Sequence, residues 1–173
     1  MQGLDSLYSE IILDHYRSPH GAGLREPFGG ESHQVNPLCG DEITLRVDIS
    51  ETGDDAAADT EAGTDAGTGA VVRDVSYDAH GCSISQASAS MLHDLVAGKP
   101  VGSVATTLSA VRAMLLDPHA GEPDEDVLED AVAIAGVAKF PARVKCAMLP
   151  WAALTDAMAR AGVSVRAETE EHS

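Results

Sequence analysis

Basic residues are what this chain most lacks. Eleven lysines and arginines stand against 28 aspartates and glutamates, leaving a net charge of −17, and Lys99, Lys139 and Lys145 are the only lysines. Such a balance repels polyanions, so no general nucleic-acid-binding surface is expected. The acidic excess is spread along the chain, which suits a halophile-type protein in a molar-salt cytosol, where a screening length of about 3 Å suppresses self-repulsion. Cysteines number three, an odd count that argues against a disulfide framework and leaves free thiolates or a metal site. Long uninterrupted apolar runs are also missing. The opening MQGLDSLYSEIILDHY places acidic residues early, unlike a signal peptide or a membrane span, so a soluble, cytoplasmic protein without membrane contact is expected. With 173 residues, 44% of them hydrophobic, the chain can bury a core. It reads as one domain over 1–163, followed by a frayed acidic tail, 164–173.

Leu4, Leu7, Tyr8, Ile11, Ile12 and Tyr16 recur at helical spacing and predict an amphipathic helix ending near Ser18 and Pro19. The Gly- and Pro-rich residues 18–30 read as a loop. Residues 31–36 predict a short edge strand and Asn36-Pro37 a turn, after which Ile43, Leu45, Val47 and Ile49 alternate as a half-buried strand does. Residues 51–70, acidic and without any basic or large apolar side chain, predict a mobile hairpin insert. Residues 71–78 form the returning strand. Ser83 followed by Gln86 is a capping-box pattern, placing Cys82 just outside a helix that Gly98 ends. Residues 101–116 and 124–136 read as further helices. Pro141 suits a first helical position, and at Pro150 either one helix kinks or a second begins.

Cys39 and Asp41 fall just before the first core strand, two residues apart, so that thiol and carboxylate project together. Cys82 follows the neighbouring strand, and antiparallel pairing brings the two cysteine-bearing ends to the same side of the sheet. The amides and dipole at the start of a helix stabilise a thiolate at Cys82. With Cys146, three thiolates and one carboxylate make a four-ligand set suited to tetrahedral zinc or to an iron-sulfur cluster. Four negative ligands exceed the charge of one zinc ion, and Arg143 and Lys145 lie beside Cys146. Arg143 is accordingly assigned a hydrogen bond, from behind the ligands, to a ligand sulfur or carboxylate. Four protein ligands leave no open water position, which argues against a zinc hydrolase. The seven histidines show no ligand pattern. His80, near Cys82, reads as a turn or surface residue, and His15 and His20 are candidates for contact with a partner.

Four ordered stretches, LYSEIILDHYRSPHGAG, NPLCGDEI, GCSISQASASM and KFPARVKCAMLPW, resemble the U-type iron-sulfur cluster assembly proteins (NifU/IscU/SufU) across most of residues 4–161. The resemblance is to the SufU-like branch. Lys145 stands where IscU-like scaffolds carry a histidine, and residues 98–138 match the extra helical sequence of SufU-like members. What the resemblance implies is an α+β fold, a small antiparallel sheet of about three strands packed against several helices. It also implies zinc on Cys39, Asp41, Cys82 and Cys146, with Cys39 catalytic: it accepts sulfur as a persulfide from a pyridoxal-phosphate cysteine desulfurase (SufS-like). Sulfur then passes to downstream iron-sulfur assembly proteins. Such a chain performs a sulfurtransferase-type half-reaction. The alternative on the same residues is a scaffold that assembles and transfers a [2Fe-2S] cluster. A purely structural zinc domain fits less well, because structural sites generally use cysteine and histidine. A metal-bound thiolate is deprotonated but quenched as a nucleophile, so Cys39 must leave the metal to react. The acidic insert departs from the compact family hairpin and is expected to lie away from the site.

Overall fold

Three antiparallel strands, β1 (Gly30–Asn36), β2 (Asp41–Ser50) and β3 (Val71–His80), form a sheet in that order in the computed structural model, which describes residues 2–37, 40–50, 70–117, 119, 121 and 123–163. Along β2 the alternation becomes a buried face of Ile43, Leu45 and Val47, while Glu42, Thr44 and Arg46 point the other way. Ile49, beyond a register shift after Asp48, is only partly buried but still packs against the core. The Gly- and Pro-rich loop guards the outer edge of β3: Tyr77 N–H donates to Gly21 C=O at 3.2 Å and Gly23 N–H to Tyr77 C=O at 2.7 Å.

Helices cover the apolar face. α1 (Gln2–Arg17) packs on α2 (Ser83–Val96), and α2 packs in turn on β3 and on the long α5 (Pro141–Arg160), which lies across β1 and β2. Small residues permit these approaches. Ala87, Ser88, Ala89 and Ser90 of α2 are all buried, and a Cβ at Gly30 would run into the Ala157 carbonyl of α5. Between α2 and α5 the Trp151 indole N–H donates to Ser88 Oγ at 3.1 Å, and the Ser88 hydroxyl donates to Ala147 C=O at 2.7 Å. α3 spans Val101–Leu116, and α4 (Glu125–Leu128) is a single turn. The architecture is the α+β arrangement expected from sequence.

Three local expectations change. Residues 124–136 do not make one α-helix: after α4 the chain passes through Glu129 at φ +49 into a 3₁₀ segment, Glu129–Lys139. Its alanine-rich, apolar sequence buries Ala131, Val132, Ala133 and Ile134 against neighbouring helices, so packing overrides the usual preference for α geometry. At Pro150 the chain does not start anew. α5 runs through it, and the ring removes only the donor that would face the Cys146 carbonyl four residues back. Finally, the helix cap at Ser83 is replaced by an arrangement described below.

Residues 51–69 of the insert and the tail 164–173 lie outside the described residues. Ala70, counted with the insert, is buried and accepts the Val101 N–H at 3.0 Å. The insert leaves the sheet where Ser50 pairs with Val71, eight positions along β2 from the Glu42–His80 pair, or about 27 Å. Among the described residues no helix is long and apolar enough to cross a membrane.

Candidate metal centre

Asp41, the first residue of β2, is fully buried at the end of the sheet where β3 finishes. Gly81 makes this possible: its φ is +151, and a Cβ there would collide with the Asp41 carboxylate. The chain then enters α2 with Cys82 as its N-cap, in extended backbone and without a side-chain cap. Asp41 acts in place of a local cap: its Oδ1 accepts the Cys82 N–H at 2.9 Å. Gln86, expected to complete a capping box with Ser83, instead donates to Gly81 C=O at 3.0 Å. A carboxylate from another strand has displaced the local pattern.

Cys146 enters from α5, fully buried. One ligand atom each from Asp41, Cys82 and Cys146 lies within 4.8 Å of the others, and Cys82 Sγ is 3.9 Å from Asp41 Oδ2. Cys39 lies outside the described residues; covalent geometry alone keeps its Cα within about 7 Å of that of Asp41. Of the described residues on either side, Gly40 N–H donates to Asn36 C=O at 2.8 Å. The described donors fit a dication. Asp41 is a buried carboxylate with no lysine or arginine paired to it among the described residues, a charge that a metal ion bound beside two thiolates would balance. Two soft sulfurs and one hard oxygen suit zinc or iron.

Arg143 is exposed and borders, with Ser83, Ile84 and Phe140, an opening of about 570 Å³ beside the start of α2. Lys145 is exposed on the other side, beside Val35 and Pro37. His80 is exposed and lies 3.4 Å from Asp78, as a surface residue should. His15, named from sequence as a candidate for partner contact, is held inside the fold. It is 4% exposed, with Nδ1 2.6 Å from Ser90 Oγ and Nε2 2.9 Å from Asp130 Oδ2. His20 is exposed and pairs with Asp94 at 2.8 Å.

Asn36 escaped the sequence reading, which saw only a turn former. The residue is buried, and its amide Nδ2 lies 3.9 Å from Cys146 Sγ, the position of a donor to a thiolate. The available signal was its place three residues before Cys39, at the head of a strand-ending turn.

A family model described as the NifU-like N terminal domain matches residues 7–147. The chain belongs to this family. This NifU-like domain is 35% identical over 160 residues to the zinc-dependent sulfurtransferase SufU of Bacillus subtilis, covering 91% of the chain and 92% of the relative. It is 34% identical over 158 residues to the iron-sulfur cluster assembly scaffold protein IscU of Streptococcus pyogenes, covering 91% and 86%. Among solved structures, FiSufU of Fervidobacterium islandicum superposes with a TM-score of 0.65 at 29% identity, covering 88% of this chain and 97% of that one.

Proposed function

We propose that this NifU-like domain serves iron-sulfur cluster biogenesis in the cytoplasm as a zinc-holding sulfur acceptor, with Cys39 as the accepting residue. The observation that carries this reading is the convergence of Asp41, Cys82 and Cys146 at one end of the sheet, two residues from Cys39. Zinc, when bound by Cys39, Asp41, Cys82 and Cys146, keeps the thiols deprotonated at neutral pH. Asp41 orders the start of α2 through the Cys82 N–H while offering its second oxygen to the centre. The Asn36 amide faces the Cys146 sulfur, and Arg143 supplies positive charge at the rim.

The partner is a SufS-like, pyridoxal-phosphate cysteine desulfurase carrying a cysteine persulfide. The Cys39 thiolate attacks the outer sulfur of that persulfide, the partner's S–S bond breaks, and the partner's thiolate leaves with the electron pair. Cys39 is then the persulfide, ready for downstream iron-sulfur assembly proteins. A second reading, a scaffold that assembles a [2Fe-2S] cluster as cargo on the same residues, is favoured by the similarity to the Streptococcus pyogenes scaffold.

Anaerobic purification with metal analysis, followed by incubation with a desulfurase and cysteine, tests the proposal. One thiolate-bound zinc per chain and a mass gain of one sulfur on Cys39 are expected, the latter absent from Cys39→Ser. Stoichiometric iron in place of that zinc moves the reading to the scaffold. Normal persulfide formation on Cys39→Ser transfers the accepting role to Cys82 or Cys146.

A further inference from the structure

A second group of ligand-bearing side chains stands at the far end of α2. Asp94 is twelve positions along the helix from Cys82, about 18 Å away. Around it gather His15 from α1 and His20 from the following loop, with one ligand atom of each of the three residues within 4.8 Å of the others. The His15 and His20 rings are 4.9 Å apart, centroid to centroid. None of these residues has a part in the sulfur chemistry.

The cluster combines a fixed anchor with accessible ligands. His15 is 4% exposed, whereas the His20 and Asp94 side chains are 49% and 38% exposed. Whichever ring nitrogen of His15 points at a metal, the other keeps a partner, Ser90 or Asp130, that fixes the ring. Ser90 also accepts the His20 N–H at 2.9 Å and so positions the loop that delivers the second ring. The Asp130 carboxylate, 60% exposed, lies 2.9 Å from His15 Nε2, outside the three-ligand group. The other Asp94 oxygen lies 3.4 Å from His93 Nδ1. His15, His20, Asp130, Asp14 and Arg17 line an opening of about 410 Å³ through which an ion can enter. The buried Tyr77 hydroxyl has no hydrogen-bond partner among the described residues. Two imidazoles and one carboxylate, without sulfur, suit a borderline divalent cation such as zinc.

We infer that His15, His20 and Asp94 form a second divalent-metal site, separate from the thiolate centre, which takes zinc and pins the loop after α1 to the C-terminal end of α2. Closing the three ligands onto one ion replaces the His20–Asp94 hydrogen bond with two metal bonds and leaves His15 one of its two partners, Ser90 or Asp130, while Ser90 still holds the His20 N–H. The site does not depend on the sulfur-acceptor reading.

The test uses the full chain with its thiolate centre already loaded with zinc. Titration with further zinc against a chromophoric chelator should reveal a second equivalent, accompanied by a rise in melting temperature. His20→Ala and Asp94→Asn should each weaken that second equivalent at least tenfold and remove the rise, while all cysteines stay protected from alkylation. Asparagine at 94 keeps a hydrogen bond to His20 but loses the charge, so a purely structural contact would leave the second equivalent intact. The inference is overturned if the wild-type chain takes up no second zinc, or if both variants bind it as tightly as wild type.

Discussion

Replacing Gly81 with alanine would push a methyl group into the Asp41 carboxylate of the proposed metal centre. An added Cβ lies 2.8 Å from Asp41 Cγ and 2.9 Å from its Cα, well inside the roughly 3.5–4.0 Å of ordinary carbon contact. Asp41 is fully buried, so it yields only by giving up the Cys82 N–H. Holding alanine at φ +151 costs about 1–3 kcal/mol, and losing a hydrogen bond to a charged group adds about 1.5–3 kcal/mol. The total, about 3–6 kcal/mol, is a large part of the 5–15 kcal/mol that holds a typical domain. Gly40→Ala supplies the comparison. Gly40 sits at φ +77, and no atom of the described residues lies within 4 Å of a new Cβ, so among these residues it meets only the left-handed backbone cost of about 1–2 kcal/mol. Urea unfolding of both metal-free variants should show the larger loss at Gly81. Chelator competition should show thiolate-bound zinc weakened about 10–100-fold in Gly81→Ala, the range seen when even an outer partner is removed. Equal destabilisation by the two substitutions, or wild-type zinc affinity in Gly81→Ala, refutes the reasoning.

Asn36→Leu keeps the branched shape of the side chain but removes the amide that faces Cys146. Zinc affinity should fall by about tenfold and alkylation of the metal-free Cys146 should slow at neutral pH, as its thiolate loses a donor; unchanged rates would show that the amide does not act on the sulfur. Acid should destabilise the fold through two carboxylates held below their ordinary range: Asp74 mainly by its hydrogen bond from Arg25, and Asp156 by the Ser32 hydroxyl and then Arg160. Because both are lowered in the folded state, their contribution is present above the ordinary value of about 3.9 and vanishes as pH falls through the folded values. The melting temperature should drop below about pH 4, and the Asp74→Asn, Asp156→Asn double variant should show a shallower drop; an identical acid profile would rule these pairs out.

What the sequence revealed depended on how local the cause was. β2 was readable because Ile43, Leu45 and Val47 all face one core, and α3 because Val104, Leu108, Val111 and Leu115 form one stripe. The start of α2 was not readable from Ser83 and Gln86, since the acceptor for the Cys82 N–H comes from Asp41, on a different strand. Asn36 was missed for the same reason: its partner Cys146 is 110 residues away and sends no local signal. His15 was read only as a candidate for partner contact, because helical spacing says nothing about Ser90 and Asp130, which hold its ring inside the fold. The ligand grouping was anticipated through turn position and family likeness, and the structure brings Asp41, Cys82 and Cys146 together.

The single tryptophan gives this molecule an internal optical reporter. Trp151 is 1% exposed and tied to Ser88 of α2, whose hydroxyl also grips Ala147, the neighbour of Cys146. α2 and α5 deliver two of the sulfurs, and both meet at this indole. A change in their separation as the proposed centre takes up or releases metal should alter the polarity and quenching around one fluorophore, an expectation that intrinsic emission during a zinc titration checks with no dye attached.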